Sequence, residues 1–303
     1  MASVKDWIEA ARLRTLPLAI SGIIAGGAVA VVDGKIDVKI TLLAVLTALL
    51  LQVLSNFAND FGDSEKGTDN EHRVGPERTV QSGAISAKQM KSAMVMTSVL
   101  ALAAGVWLIV EGMLGMPVMG WIVFGLLGVL SIAAAIMYTV GKRPYGYMGL
   151  GDLMVFVFFG LVSVLGTAYL NNHMVSLSGV LMAYVVGALS AGVLNLNNMR
   201  DAENDKASGK NTLATKLGEM GAKRYHFFLI TSATLAYAVS LELATDFSLK
   251  WLGLAPAILL QKDLLAVFKT KEKAKLDPFL KKLAIGTFLL SVAYLLVVTL
   301  IGK

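Results

Sequence analysis

Apolar residues in this chain come in long continuous runs, separated by short clusters of polar and charged residues. Nine runs are legible, near residues 15–32, 38–60, 92–112, 117–140, 150–170, 177–200, 226–244, 248–267 and 282–301. A bilayer core is about 30 Å thick and takes about 20 apolar residues per helix. Membrane-spanning strands would instead read as short segments of alternating polarity. Continuous runs therefore predict helices, which satisfy their own backbone hydrogen bonds in lipid. The expected fold is all-α, a polytopic membrane helical bundle of about nine transmembrane helices. No low-complexity linker or separate soluble segment interrupts the pattern, so residues 1–303 are expected to form a single intramembrane domain.

The polar punctuation gives the bundle an orientation. Alternating the nine runs across a membrane places 23 of the 27 Lys and Arg on the side of the N-terminus. Only Lys35, Lys39, Lys250 and Lys303 fall on the other side. Basic residues concentrate in cytoplasmic loops, so the N-terminus is expected to be cytoplasmic. Composition agrees with this reading: 56% of the chain is hydrophobic and 16% charged, with a mean hydropathy of +0.67. A soluble domain is nearer half apolar and a quarter charged. The net charge of +6 then reports topology, and no nucleic-acid partner is expected. The first run, behind Arg12 and Arg14, resembles a signal peptide, but the further spans make it a retained first helix. The chain has no cysteine, which excludes disulfides and thiolate metal ligands.

Connections on the far side are short, whereas two on the basic side, about 61–91 and 201–225, are long and expected to be functional. Each begins with an acidic cluster. In the first, Asn56, Asn59, Asp60 and Asp63 have the spacing of one helical face if the second span continues. Gly62 and Gly67 are expected to loosen the chain and let Asp69 fold back. Three carboxylates so close repel unless a cation sits among them, and hard oxygen ligands suit Mg²⁺ bridging to phosphates. The plain alternative is a solvated helix end. In the second cluster, Asn195, Asn198, Asp201 and Asp205 share a face, while Asn197 is expected to point elsewhere. Asparagines there could equally serve as hydrogen-bond links between helices.

The pairing of the clusters decides between these readings. Both lie at basic-side ends of even-numbered spans, four helices apart, as in two similar halves meeting at one site. Two carboxylate clusters on one side of a bundle can hold metal against a diphosphate. Arg73, Arg78, Lys142, Arg143 and Lys210 lie close in sequence to these acids or to the loop after the fourth span, and guanidinium groups suit phosphate. Singly, each is a topology signal or lipid-headgroup contact. His72, His173 and His226 are scattered and take no role. A transporter would also place carboxylates in its spans, but near the bilayer midplane at broken helices.

These residues resemble the UbiA superfamily of intramembrane prenyltransferases, with nine helices, a first Asn-Asp-x-x-Asp motif and a second Asp-x-x-x-Asp motif. The counterparts here are Asn59-Asp60-Phe-Gly-Asp63, with Asp69 as the distal acid, and Asp201-Ala-Glu-Asn-Asp205; Tyr138 and Lys142 match a Tyr-x-x-x-Lys element. Finer wording resembles the branch that prenylates 1,4-dihydroxy-2-naphthoate: Ala11-Arg-Leu-Arg-Thr-Leu-Pro17, Lys66-Gly-Thr-Asp69, Arg73-Val-Gly-Pro-Glu-Arg78, Gln81-Ser-Gly83, and Tyr138 to Gly146 with Gly149-Leu-Gly-Asp152. Asp69 falls two residues later than in the 4-hydroxybenzoate branch. The resemblance implies a multi-pass inner-membrane enzyme, its site facing the cytoplasm, that joins a polyprenyl diphosphate to a dihydroxynaphthoate acceptor. It implies Mg²⁺ on Asn59, Asp60, Asp63, Asp201 and Asp205, and catalytic roles for Asp69, Arg78 and Lys142. It implies substrate contacts from Asn56, Lys66, Arg73, Tyr138, Arg143, Asn198 and Lys210. The competing readings are a prenyltransferase for another aromatic acceptor and a transporter.

Overall fold

The computed structural model describes residues 2–70 and 74–300. Among these, nine helices are long and apolar enough to cross a membrane, matching the nine apolar runs one for one. No strand occurs among the described residues.

A short helix absent from the hydropathy pattern, α1 (Val4–Ala11), precedes the first span. A reciprocal cap starts it: the Ser3 hydroxyl accepts from Asp6 N–H, and the Asp6 carboxylate accepts from Ser3 N–H. Trp7 packs edge-on against Phe57, at 5.7 Å between ring centres. Arg12, in the left-handed region at φ 50°, then turns the chain into α2 (Leu16–Asp33). The following spans are α3 (Val38–Glu65), α4 (Ala87–Met113) and α5 (Val118–Met137). The fifth is composite: α6 (Gly151–Val155), a π-helical stretch over Phe156–Leu165, and α7 (Gly166–Asn172). Next come α8 (Leu177–Ala207), α9 (Leu213–Ala244), α10 (Ala255–Lys269) and α11 (Asp277–Leu300).

Two packed groups of helices make the bundle. α8 is the hub of the larger one, lying against α2, the π-helical stretch, α9 and α11. In its most apolar window 67% of residues are buried, against 6% for α5, which therefore forms an outer wall. α3, α4 and α5 make the smaller group, with Leu54, Phe57, Phe61, Met90 and Met94 in its core together with Ala10 of α1.

Of the two connections expected to be long, the first is long, spanning 66–86, and the second is not. α3 continues to Glu65, and α8 continues to Ala207, so that only five residues separate it from α9. Polar sequence at a span's end does not stop a helix whose polar side chains find partners in the bundle. Arg200, Asp201, Asn204 and Asp205 are all buried. Gly62 is likewise no loosening point. It lies inside α3, where a Cβ would stand 2.8 Å from the carbonyl carbon of Thr139, so its small size permits the close approach of the loop after α5.

Candidate active site

A cavity of about 590 Å³ opens between the two groups of helices. Its body is apolar, walled by residues such as Leu51, Leu108, Phe124, Phe158 and Leu170. At its basic-side end the lining turns polar: Arg12, Asn59, Asp63, Arg78, Tyr138, Asn197, Asp201, Asp205 and Lys210. Chambers of this kind, mostly apolar with a few convergent polar groups, are the usual form of a small-molecule site.

The two acid-bearing helix ends share one local construction. Two residues past the end of α3 stands Gly67 (φ 68°) and two past the end of α8 stands Gly209 (φ 73°), each four residues after a cavity-lining acid, Asp63 or Asp205. Glycine enters the left-handed region without the Cβ penalty, and it ends helices for that reason. The next residue then turns back in each case: Thr68 N–H donates to Asp63 O at 3.0 Å, and Lys210 N–H donates to Asp205 O at 2.7 Å. Asp69 follows Thr68 inward, its N–H donating to Asp63 O at 3.3 Å. The refolding of Asp69 towards the first cluster thus comes from Gly67 alone.

At the first end, Asn59 and Asp63 face the cavity and Asp60 does not. The Asp60 carboxylate instead accepts from the Thr79 hydroxyl at 2.6 Å and from the N–H groups of Thr79 and Val80, both at 3.2 Å. It pins the loop that delivers Arg78, and this geometry does not present it to a metal as the resemblance implied. Asp69, buried behind the lining, lies 3.7 Å from Arg78 Nε and holds that guanidinium. Asp63 accepts from Tyr147 Oη at 2.7 Å, and the Thr68 hydroxyl lies 2.6 Å from the same oxygen. Burial, and then the charge of Asp63, push the Tyr147 hydroxyl pKa up, so it stays protonated and donates.

At the second end, the register differs from the expected one. Asn197 lines the cavity, whereas Asn195 and Asn198 are buried outside the lining. Asn195 donates to Ala222 O of α9 at 3.0 Å, a link between helices. Asp201 is gripped by its neighbour Arg200, whose Nε and Nη2 donate to the two carboxylate oxygens at 2.9 and 2.7 Å. The same guanidinium donates to Asn197 Oδ1 at 2.8 Å and pairs with Asp277 at the start of α11. Arg200 carried only a topology reading in the sequence; adjacency to an acid motif was its one available signal.

The ends are tied together. Asn204 of α8 donates to Thr68 O at 2.8 Å. Lys210 Nζ lies 4.0 Å from Asp63 Oδ1 and 3.8 Å from Asp205 Oδ1, and over the Tyr147 ring at 5.3 Å. One ammonium therefore stands between a carboxylate of each motif, marking a place where positive charge is favoured.

The remaining expected residues are placed unevenly. Asn56 lines the cavity, but its amide donates to Ala11 O and Thr15 Oγ1 and accepts from Gln52, joining α3 to the entrance of α2. Lys66 donates to Gly141 O at 2.9 Å and sits over Tyr147. Lys142 and Arg143 are exposed and outside the lining. Arg73 lies outside the described residues. Among the described residues no three acids or histidines stand close enough to enclose a metal by themselves. Mg²⁺ commonly takes only one or two carboxylates, with waters and phosphates completing its octahedron. The oxygen-only set of Asn59, Asp63, Asp201 and Asp205, facing one chamber in which the Lys210 ammonium stands between Asp63 and Asp205, fits that mode of binding.

Comparison with known proteins agrees with this architecture. The UbiA prenyltransferase family matches residues 19–292. The chain belongs to this family. It is 42% identical to the 1,4-dihydroxy-2-naphthoate octaprenyltransferase of Escherichia coli (strain K12), with 98% of this chain and 96% of that one covered. It is 36% identical to the enzyme of the same name from Mycobacterium leprae (strain TN), over 100% and 99% of the two chains. Its fold is that of a UbiA homolog from Archaeoglobus fulgidus bound to GPP and Mg²⁺, at a TM-score of 0.68 and 14% identity, covering 97% and 99% of the chains. The two motifs that opened the family resemblance therefore sit, in a UbiA fold, at the polar end of one chamber.

Proposed function

We propose that this chain transfers a polyprenyl group from an allylic diphosphate to 1,4-dihydroxy-2-naphthoate, with loss of the ring carboxylate as CO₂, giving a demethylmenaquinone. The observation that carries the reading is the convergence of both acid motifs on one apolar chamber, in a chain 42% identical over nearly its full length to an octaprenyltransferase for that acceptor. The site is read as facing the cytoplasm across the inner membrane, on the strength of the 23-to-4 division of basic residues.

Each part of the chamber has a task. Asn59, Asp63, Asp201 and Asp205 would hold Mg²⁺, which when bound offsets the charge gathering on the departing diphosphate. Arg78 and Lys210 face the same space and add fixed positive charge to it. Arg200 aims Asp201, and Asp60 and Asp69 hold the loop and guanidinium of Arg78. The apolar body houses the prenyl tail and keeps water from the allylic cation.

The test is a transfer assay on the full chain in nanodiscs with Mg²⁺ and a long polyprenyl diphosphate. It offers 1,4-dihydroxy-2-naphthoate or 4-hydroxybenzoate and follows lipid-soluble product and CO₂. Product from the naphthoate alone, abolished by chelation, is expected. Product from the benzoate alone overturns the acceptor, and product from neither overturns the prenyltransferase reading in favour of transport.

A further inference from the structure

The segment that joins α5 to α6 has no task in the chemistry above. It holds a short 3₁₀ helix, Tyr145–Met148, tied to three places. The first is α5: Tyr145 Oη donates to Ala134 O at 2.8 Å, and Gly146 N–H donates to Tyr138 O at 3.0 Å. The second is the junction of α8 and α9. Tyr147 O accepts from Asn211 N–H at 3.1 Å, and Met148 O accepts from Lys216 Nζ at 2.7 Å. Gly149 (φ 82°) permits that approach, since a Cβ there would stand 2.7 Å from Lys216 Nζ and 3.0 Å from Asn211 O. The third is the end of α3, reached by the Tyr147 hydroxyl.

That hydroxyl closes a ring of hydrogen bonds. Tyr147 Oη lies 2.7 Å from Asp63 Oδ1 and 2.6 Å from Thr68 Oγ1. A carboxylate only accepts and a phenol has one proton, so Tyr147 donates to Asp63 and Thr68 donates to Tyr147. Thr68 N–H in turn donates to Asp63 O at 3.0 Å, and Thr68 O accepts from Asn204 of α8 at 2.8 Å. Lys210 Nζ, 4.0 Å from the same Asp63 oxygen, lies over the Tyr147 ring at 5.3 Å from its centre. Asp63, Thr68 and Lys210 line the chamber, whereas Tyr147 stands behind them. Tyr147 therefore acts on the chamber only through the side chains it holds. The terminal torsion of an aspartate is broad, and a hydrogen bond to one oxygen narrows it. A phenol does this without adding charge of its own.

We propose that Tyr147 is a positioning residue acting through Asp63, its hydroxyl fixing the carboxylate in the orientation that takes Mg²⁺. The inference rests on reading the chamber as a site for Mg²⁺ and a diphosphate, and it is independent of the acceptor. A ligand set ordered before binding gives tighter binding, because less freedom is lost when the ion arrives. The same 3₁₀ helix holds the α8–α9 junction, so the residue that aims Asp63 also sits in the strap between the two acid-bearing ends.

The experiment compares wild type, Tyr147→Phe, Asp63→Asn and the Tyr147→Phe/Asp63→Asn pair as full chains. The phenylalanine ring keeps the seat of Lys210 and removes only the hydroxyl. In detergent, Mg²⁺ is titrated at fixed inorganic diphosphate. The rise in Tm over each protein's own ligand-free value gives the half-saturating Mg²⁺ concentration. For Tyr147→Phe that concentration is expected to be about 10-fold above wild type, the usual scale for a group that orients a metal-ligating side chain. In nanodiscs, prenyl transfer by Tyr147→Phe at limiting Mg²⁺ is expected to fall by about the same factor and to recover when Mg²⁺ is raised about 10-fold. A loss of fold alone would not recover in this way. In the Asp63→Asn background, removing the hydroxyl is expected to change kcat/KM by no more than about twofold, because the side chain it aims is already altered. An unchanged half-saturating Mg²⁺ in Tyr147→Phe, a loss of transfer that Mg²⁺ does not restore, or a full further loss in the Asp63→Asn background overturns the inference alone. A wild type that gains no stability from Mg²⁺ and diphosphate overturns the diphosphate reading of the chamber, and this inference with it.

Discussion

The ends of α3 and α8 carry acids at matching positions and close with the same left-handed glycine turn, yet they are held by different means. At the first, the hydrogen bonds to the motif acids come from neutral donors, Tyr147 for Asp63 and Thr79 and Val80 for Asp60, with the Lys210 ammonium 4.0 Å from Asp63. The second is held by a buried cation, the Arg200 guanidinium, which is itself fastened to Asp277 of α11. Neutral donors orient a carboxylate without cancelling its charge, whereas an arginine fork does both. The α3 end is thus held by segments that follow α3 and α5, and the α8 end by a charged contact within the bundle. Two motifs that read alike in sequence need not be held by the same chemistry.

Predictions that break or sharpen this contrast run from loss of chemistry to near neutrality. Asp63→Asn and Asp205→Asn are each expected to lower kcat/KM for transfer by 100-fold or more, about the scale of removing a main electrostatic contact in a transition state. Near-normal activity in either would mean that one helix end is dispensable. Arg200→Ala leaves Asp201 and Asp277 without their shared cation and is expected to cost about 3 kcal/mol of stability, read as a lowered Tm in detergent. Tyr147→Phe removes one neutral hydrogen bond and is expected to cost about 1 kcal/mol. Equal costs for these two would erase the distinction between the ends. Gly67→Ala and Gly209→Ala place a Cβ at a positive φ, and each is expected to cost about 1 kcal/mol. Similar Tm shifts in the pair would support the shared turn. At the small end, Lys142→Ala should impair transfer far less than Lys210→Ala, because Lys142 is exposed and outside the chamber. The reverse order would restore the role that the Tyr-x-x-x-Lys resemblance implied.

Much of the fold was legible in the chain before any coordinates. All nine spans were placed, since a 20-residue apolar run admits few other structures in a bilayer. The acid motifs were legible as clusters, and their convergence followed from the even-numbered spans. Side-chain direction was less so. Face arithmetic grouped Asp60 with Asp63 and set Asn197 apart, while the bundle turns Asp60 to a loop and Asn197 to the chamber. A helix rotation of a few tens of degrees decides such cases, and it is set by packing partners distant in sequence. The chain also carries a finer signal: Asp63-x-x-x-Gly67 and Asp205-x-x-x-Gly209 repeat the same spacing in the two halves, and that repeat aligns Asn59 with Asp201 and Thr68 with Lys210.

The sequence by itself determined the number of spans, the side on which charge gathers and the presence of two acid clusters. These follow from the cost of putting polar groups in hydrocarbon, which is read locally along the chain. Tertiary structure alone decided which oxygens face the chamber, that Arg200 clasps Asp201, and that Asp60 and Asp69 serve Arg78. Those outcomes depend on ångström-scale approaches between segments far apart in the chain, and a hydrogen bond or ion pair exists only where such an approach is completed.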